Sequence, residues 1–284
     1  MKILVIGGNG FIGSKVSLAL SKKGYNVTIF DKKKNKKLNK KIKFIYGDIR
    51  SQKSLLTSIK GKDAVFNFAA LSDIDEARNM PSDTIILNIL AVSNILKSCK
   101  KMKVKRFIQA STIYASSEEG GFYARSKRAA EDYILEFNKI YNTNYTILRF
   151  GSLYGSGADS NNGIKKLILS GKKNKKLIYR GSVKATRRYI NVEDAAELCV
   201  YILNKKFKNK VINITGRTNI KIKHVLNFLS KKLGIDKKNI IYKNEKNTGH
   251  YSKKPTPVKL ITSKNLYIKK EKNIYKTIST LIND

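Results

Sequence analysis

Short apolar runs alternate with longer amphipathic segments over the first two thirds of the chain. The first run, Lys2-Ile3-Leu4-Val5-Ile6, stops at glycines, and apolar side chains then recur at helical spacing over residues 16–20. Helical patterns separate most of the further apolar runs, which lie near residues 26–30, 42–46, 64–68, 105–112 and 211–214. Short apolar strands separated by helices predict a protein of the α/β class with a doubly wound parallel sheet.

The first apolar run leads through a glycine loop into a helix. Glycines at this point let the backbone approach a pyrophosphate, while the helix N-terminus supplies N–H donors and the positive end of its dipole. A strand, a glycine loop and a helix in this order predict a Rossmann dinucleotide-binding site. The loop residues expected to touch the cofactor are Gly7, Gly10, Phe11, Ile12 and Gly13.

Asp31 ends the second apolar run, 18 residues after Gly13. A carboxylate at this position accepts hydrogen bonds from the adenosine ribose and repels the 2′-phosphate of NADP. We therefore expect the cofactor to be NAD. Lysines follow directly, beginning with Lys32, and one of them could accommodate the phosphate, so NADP use stays open.

Tyr123 and Lys127 stand four residues apart at the start of a strongly helical run. Residues at this spacing share a helix face, and a nearby ammonium lowers the pKa of a phenol, which could then act as a general base. The spacing alone is weak, because a chain with 15 tyrosines and 59 Lys+Arg produces it by chance. The apolar run before it, however, ends with Ser111 and Thr112, and a short loop brings the Thr112 and Tyr123 hydroxyls to one point.

Eight short motifs follow one another along about the first 200 residues. They are Gly7-x-x-Gly10-x-x-Gly13, Asp31, Gly47-Asp48, Asn67-Phe-Ala-Ala70, Ser111-Thr112, Tyr123-x-x-x-Lys127, Leu148-Arg-Phe and Arg188-Tyr-Ile-Asn-Val-Glu-Asp194. Together they resemble the extended short-chain dehydrogenase/reductases and, within them, the NAD-dependent epimerase/dehydratase family that acts on nucleotide sugars. Beyond Gly216 the resemblance is much looser.

The resemblance implies a role for each matched position. Tyr123 would be the catalytic base that removes a sugar hydroxyl proton, and Lys127 would lower the pKa of Tyr123 and hold the nicotinamide ribose. Thr112 would hydrogen-bond the reacting oxygen, with Ser111 as the alternative. Further cofactor contacts are implied beside the adenine and along the cofactor cleft, at Asp48, Ile49, Ala69 and Ala70.

The chain departs from the family pattern on the substrate side. Ile113 and Tyr114 follow Thr112, where the sugar 4,6-dehydratases carry an acid that expels water, so dehydration is disfavoured. Glu118 and Glu119 lie in the shortened loop that follows, and we expect them in solvent. Ser152 is expected at the substrate, in a Gly151-Ser152 pair that replaces the asparagine often found there.

Arg187 and Arg188 are the remaining candidates for substrate binding, because an arginine can grip a diphosphate bidentately. A salt bridge to Glu193 or Asp194 is the alternative for either arginine. The glycine-rich polar stretch after Gly151 has the composition of a binding loop rather than of core. We expect an NAD(P)-binding domain of residues 1–154 plus about 186–216, and a smaller α/β substrate-binding lobe of about 155–185 plus 217–284.

The formal charge of +39 raises the possibility of nucleic-acid binding. The lysines, however, are spread along the whole chain and accompany abundant Asn and Ile, which indicates a compositional bias, and the densest run, residues 32–41, reads as a solvated loop. Nucleic acid is therefore a disfavoured partner. No apolar run approaches the ~18 residues of a membrane helix, and no signal peptide is evident, so we expect a cytoplasmic protein without a membrane partner.

We expect no metal site. Cys99 and Cys199 lie in apolar helical patterns typical of buried small side chains, and His224 and His250 are isolated in the sequence. Helical residues 81–101 and 123–141 carry apolar side chains on more than one face, which predicts a homodimer through these two helices.

The leading functional hypothesis is an NAD-dependent epimerase of a nucleotide-activated sugar, serving the synthesis of surface polysaccharide or glycoconjugate precursors. An NAD(P)H-dependent reductase of a keto-sugar or other carbonyl compound is the runner-up in the same class, followed by a dehydratase. From another class, a catalytically inactive RNA-binding Rossmann protein is the alternative.

Overall fold

The computed structural model of the protein describes residues 1–34, 39–243 and 262–283. The strands within those residues are β1 (Lys2–Ile6), β2 (Asn26–Asp31), β3 (Lys43–Tyr46), β4 (Ala64–Asn67), β5 (Arg106–Thr112), β6 (Tyr145–Phe150), β7 (Ser152–Tyr154), β8 (Leu177–Arg180), β9 (Thr186–Arg187), β10 (Tyr189–Asn191), β11 (Lys210–Ile214), β12 (Ile220–Lys221), β13 (Ile240–Lys243) and β14 (Lys264–Leu266). The α-helices are α1 (Phe11–Lys22), α2 (Gln52–Ile59), α3 (Ile74–Asn79), α4 (Pro81–Ile85), α5 (Ala91–Lys101), α6 (Gly121–Tyr141), α7 (Gly163–Asn174), α8 (Val192–Tyr201), α9 (Ile222–Leu233) and α10 (Ile274–Asn283).

Eight parallel strands form the large sheet, in the order β14-β11-β6-β5-β4-β1-β2-β3. The strand order reverses between β1 and β4, and ligands of such sheets bind beyond the carboxyl ends of the strands at this switch point. The predicted α/β class and the doubly wound parallel sheet are confirmed. The glycine loop after β1 and the end of β5 lie at this same edge of the sheet.

Apolar clusters cover both faces of the large sheet. On one face, α1 and α8 contribute Val16, Leu20, Ala195 and Cys199 to a cluster with the side chains of β1. On the other face, α2, α5 and α6 pack side chains such as Leu55, Ile95 and Ile134 against the sheet. Because both faces are covered, strands such as β1 are buried beyond their first residue, which explains their continuous apolar runs.

The helix predicted over residues 81–101 begins and ends where expected. Pro81 occupies its first turn, where the missing N–H is harmless. Between α4 and α5 the helix makes one π-helical turn, Ile86–Leu90, a feature that often marks functional sites. The turn buries Asn88 while leaving Ile86 and Leu90 exposed.

A third apolar cluster lies outside the large sheet, among helices α7, α9 and α10. Its members come mainly from the segments assigned to the smaller lobe, although the division into two domains stays a prediction. One segment was placed wrongly: β14 pairs with β11 in the large sheet, so residues 264–266 are not part of a separate lobe. The reason is that Lys264-Asn265-Leu266 has no apolar run, and only pairing with a distant strand makes it extended.

Some expectations concern residues outside the described ranges, namely His250 and residues 35–38 of the lysine run. Cys99 and Cys199 are buried and unpaired, as predicted, and burial raises the pKa of both thiols. Across residues 1–34, 39–243 and 262–283, no three His, Cys, Asp or Glu side chains gather as a metal site would require. None of the described helices has the length and apolarity to cross a membrane.

Candidate active site

The glycine loop packs so closely that side chains are excluded at two positions. A Cβ built on Gly13 would lie 2.2 Å from the carbonyl oxygen of Gly7, and one on Gly7 would lie 2.6 Å from the backbone nitrogen of Ala69. Gly7 also has a φ of +72°, which favours glycine. The loop therefore brings the backbone of β1 and the N-terminus of α1 together, as a pyrophosphate requires.

Asp31 is held in a fixed orientation at the end of β2. Its two carboxylate oxygens accept hydrogen bonds from the backbone N–H groups of Asn9 and Lys33, each at 3.0 Å. The glycine loop and Asp31 are thereby joined by a direct contact. A carboxylate fixed beside a glycine loop can accept hydrogen bonds from the ribose of NAD, so the residues at this site fit this cofactor.

Asp48 lies next to Asp31 along the same edge of the sheet and forms an ion pair with Arg50, with Nη2 at 2.6 Å from Oδ2. Hydrogen bonding to Arg50 holds the pKa of Asp48 below its usual value. The carboxylate is therefore already partnered within its own turn, and Arg50 adds a positive charge to the cofactor end of the cleft.

Thr112, Tyr123 and Lys127 meet where β5 ends and α6 begins. Thr112 caps the 3-10 turn Ile113–Ser116 by accepting from the N–H of Tyr114, and its hydroxyl also hydrogen-bonds to Tyr123. Lys127 Nζ donates to the carbonyl oxygen of Ala110 at 3.1 Å and lies 6.0 Å from the centre of the Tyr123 ring. The convergence of the three side chains agrees with the prediction from their spacing.

The pKa of Tyr123 does not follow the simple expectation of a lysine-activated phenol. Burial raises the pKa of Tyr123 to about 12. The hydrogen bond from Thr112 lowers this pKa, but it offsets only part of the rise. Burial likewise lowers the pKa of Lys127 to about 8, while Glu131 raises it. Desolvation thus outweighs the hydrogen bond from Thr112 for Tyr123 and the charge of Glu131 for Lys127.

Two side chains at the site, Glu131 and Asn88, are not among the residues predicted from the sequence. The first is Glu131, which is buried with Arg149 and accepts a hydrogen bond from Ser111 Oγ. Ser111 therefore faces this ion pair rather than the reacting position offered by Thr112. The signal available in the sequence was the spacing of Glu131, four residues after Lys127 on the same helix.

The second group is Asn88 on the π-helical turn. Its side chain accepts from the N–H of Leu71 and donates to the carbonyl of Leu71 and to Ser126 Oγ. Ser126 in turn donates to the carbonyl oxygen of Tyr123. Asn88 thus ties the loop after β4 to the first turns of α6, and the sequence carried no pattern for this contact.

A cleft of about 770 Å³ joins these parts. Every residue predicted to be catalytic lines it, as does every residue predicted to bind the cofactor. The full set is Gly7, Gly10, Phe11, Ile12, Gly13, Asp31, Lys32, Asp48, Ile49, Ala69, Ala70, Ser111, Thr112, Tyr123 and Lys127. Ala110, Phe150, Leu153, Asp159 and Asn161 also line it, so the cleft extends past β6 toward the glycine-rich loop.

Of the five residues predicted to bind the substrate, Thr112 and Tyr123 line this cleft. The other three, Ser152, Arg187 and Arg188, are not among its lining residues. Arg187 is buried and donates to Tyr179 Oη at 2.8 Å. Arg188 donates to Tyr267 Oη and to the side-chain oxygen of Asn219, both at 3.2 Å.

The carboxylates considered as partners of these arginines have other contacts. Glu193 pairs with Lys15 and Lys272, and Asp194 accepts from the N–H of Lys272. Glu118 is exposed and paired with Arg125, while Glu119 is partly buried.

Comparison with known proteins agrees with this geometry. The model of the NAD dependent epimerase/dehydratase family matches residues 3–215, about three quarters of the chain. A protein of Methanocaldococcus jannaschii, provisionally named UDP-glucose 4-epimerase, is 29% identical over 255 residues, which cover 82% of each chain. A dTDP-D-glucose 4,6-dehydratase of Dictyostelium discoideum is 30% identical over 253 residues, covering 75% of this chain but only 58% of its own length.

Solved structures share the fold of this chain. The UDP-glucose 4-epimerase of Thermotoga maritima, determined with UDP-glucose, superimposes with a TM-score of 0.85 at 24% identity and covers 100% of this chain and 98% of its own. The UDP-glucose 4-epimerase of Thermus thermophilus, in complex with NAD, gives a TM-score of 0.79 at 22% identity and 90% coverage of both chains. With the family match and the cofactor loop together, the protein belongs to the NAD dependent epimerase/dehydratase family and is an NAD-dependent enzyme of the extended short-chain dehydrogenase/reductase type.

Proposed function

We propose that the protein is an NAD-dependent epimerase that inverts one hydroxyl-bearing carbon of a nucleotide-activated sugar. The observation that carries the proposal is the meeting of Thr112, Tyr123 and Lys127 in one cleft with the glycine loop and Asp31. The named relatives include UDP-glucose 4-epimerases, so we take a UDP-hexose as the first substrate class. A role in surface polysaccharide or glycoconjugate precursor synthesis follows from that class.

In this proposal Tyr123 is the base and Thr112 orients the reacting oxygen. The Tyr123 phenolate takes the hydroxyl proton as the carbon is oxidised, and the resulting phenol returns the proton when the opposite face of the carbon is reduced. Bound NAD would supply the hydride acceptor and donor for that carbon, and its oxidised ring would add a positive charge to the cleft. Lys127 would contribute a second positive charge, and both charges would lower the pKa of Tyr123.

Elimination of water is the less favoured chemistry at this site. Ile113 and Tyr114 begin the 3-10 turn directly after Thr112, so the two positions next to Thr112 carry no carboxyl group to protonate a leaving hydroxyl. Glu118, the nearer of the two acids in the loop, points to solvent in an ion pair with Arg125. We therefore place epimerisation ahead of dehydration.

The proposal is tested by incubating the purified protein with NAD and, separately, UDP-glucose, UDP-galactose and the corresponding UDP-N-acetylhexosamines. The expected result is the epimer of one of these sugars, detected by NMR, with no net change in NADH absorbance. Net consumption of NADH with a keto-sugar would instead identify a reductase, and loss of water in the mass spectrum would identify a dehydratase. Either result would overturn the epimerase assignment.

We also propose a homodimer through the helices α4 to α6. Large apolar side chains stand exposed on this side, with Ile85 57% exposed, Leu90 51%, Tyr133 50% and Ile140 57%. Their grouping on two neighbouring helical segments supports an interface rather than scattered surface residues. Sedimentation at micromolar concentration should give a dimer, and a monomer there would contradict the proposal.

A further inference from the structure

A buried ion pair lies directly beside the proposed catalytic residues. Glu131 on α6 and Arg149 on β6 are each about 1% exposed. Arg149 Nε donates to the two carboxylate oxygens of Glu131 at 3.0 and 3.2 Å, and Nη2 donates to Oε2 at 2.5 Å. Ser111 Oγ donates to Oε1 at 2.5 Å. Side chains of two strands, β5 and β6, thus fix the Glu131 carboxylate. The cleft opens at the carboxyl ends of these strands.

Stability alone does not explain such a pair. Removing two charges from water is costly, and well-packed apolar side chains of similar size stabilise a protein as well or better. The surrounding positions show that apolar packing is available here, because Ala130 and Ile134 on the same helix are buried in the core. The position of the pair therefore points to a role in the site.

Lys127 lies one helical turn before Glu131 and is itself only 4% exposed. Residues four apart on a helix face the same side, and both side chains reach neighbouring residues of β5, Lys127 the carbonyl oxygen of Ala110 and Glu131 the hydroxyl of Ser111. Burial lowers the pKa of Lys127 to about 8, and the charge of Glu131 acts against that shift. The other charged groups on α6 and on the elements packed against it include Arg128 and Asp132 on α6, Arg149 on β6, and Glu76 and Asp83 across the cleft on α3 and α4.

We propose that Glu131 is a positioning residue for Lys127: clamped by Arg149 and Ser111, its carboxylate is the fixed counter-charge that holds the lysine as an ammonium beside Tyr123. The inference rests on the proposed role of Lys127 in the reaction. It also reassigns Ser111, which acts through Glu131 rather than on the substrate. Arg149 serves to hold the carboxylate in its orientation.

The test measures the protonation of Lys127 directly, without cofactor or sugar. Lysines of the folded protein are labelled briefly with trace acetic anhydride at a series of pH values, and the peptide carrying Lys127 is quantified by mass spectrometry. The midpoint of its reactivity should lie near pH 8 in the native protein. In Glu131→Gln, which keeps the shape of the side chain, the midpoint should fall by about one pH unit or more.

Control variants separate this role from a structural one. Arg106→Met removes a buried arginine at the opposite end of β5 and should lower thermal stability without moving the Lys127 midpoint. Should Glu131→Gln fail to fold, Glu131→Gln/Arg149→Met removes both charges together and should still show a lowered midpoint. Glu131→Asp, which keeps the negative charge, should restore the midpoint at least in part.

An unchanged midpoint in the folded Glu131 variants, with only a loss of thermal stability, would overturn the proposal and leave the pair a structural element. A displaced midpoint in a protein that turns over no sugar would instead leave the inference standing and refute the proposed function. The two proposals can therefore fail separately.

Discussion

The cofactor side and the substrate side of the cleft differ in how many of the residues predicted from the sequence lie there. Gly13, Asp31 and Ala69 on the cofactor side all line the cleft, whereas Ser152, Arg187 and Arg188 do not. On the cofactor side the residues lie at the carboxyl end of a parallel strand or in the short segment that follows it, so the sheet carries them to the switch point. On the substrate side the residues belong to two-stranded sheets and loops, whose positions depend on packing between distant segments.

The largest effect is expected at the point where the two sides meet. Tyr123→Phe should reduce turnover by about 10³-fold, because general acid–base catalysis contributes 10² to 10⁴. Affinity for NAD, measured by fluorescence titration, should change by less than about threefold, since the ring remains in place. Tyr141→Phe at the exposed C-terminal end of α6 is the matched control and should keep native turnover. Activity in Tyr123→Phe close to native would remove this residue from its role.

A smaller but still large effect is expected within the cofactor side. Gly13→Ala places a methyl group 2.2 Å from the Gly7 carbonyl, and overpacking of this kind costs about 1–3 kcal/mol. If the loop bears that cost, NAD affinity in an isothermal titration should fall by about tenfold to hundredfold.

Gly163→Ala is the control for this substitution, because a Cβ there meets nothing within 4 Å. NAD affinity in that variant should remain native. An unaltered affinity in Gly13→Ala as well would show that the loop relaxes and that close packing is not required for binding.

The smallest effect is expected on the substrate side. Arg188 holds Asn219 and Tyr267, so Arg188→Gln should lower stability by about 1 kcal/mol per lost hydrogen bond. The KM for the nucleotide sugar should rise by less than about threefold. Loss of a bidentate contact to the diphosphate would raise the KM more than this. A rise of tenfold or more at unchanged thermal stability would restore Arg188 as a substrate residue and show that the cleft extends to it.

Local patterns explain why so much of the fold could be predicted. Glycine spacing, the strand that ends at Asp31 and the helical face shared by Tyr123 and Lys127 are all set by neighbours in the chain. Glu131 and Asn88 could not be found this way. The spacing of Glu131 from Lys127 places both on one face of α6, but it does not show that Glu131 is buried, because its partners Ser111 and Arg149 come from the strands β5 and β6.

The strand β14 was missed for the same physical reason. Three residues without an apolar run have no extended preference of their own, and the pairing partner β11 lies far away in sequence. The same reason applies to the candidate substrate residues Ser152, Arg187 and Arg188. Their chemistry can be recognised in the sequence, but their distance from the cleft cannot.

The composition of the two edge strands bears on the behaviour of the protein at high concentration. A parallel sheet ends in unpaired N–H and C=O groups that can add a strand from another molecule. Here both edges are short, four residues in β3 and three in β14, and Lys43 and Lys264 stand exposed on them. Charged, short edges discourage such additions, so the lysine-rich composition protects the sheet against aggregation.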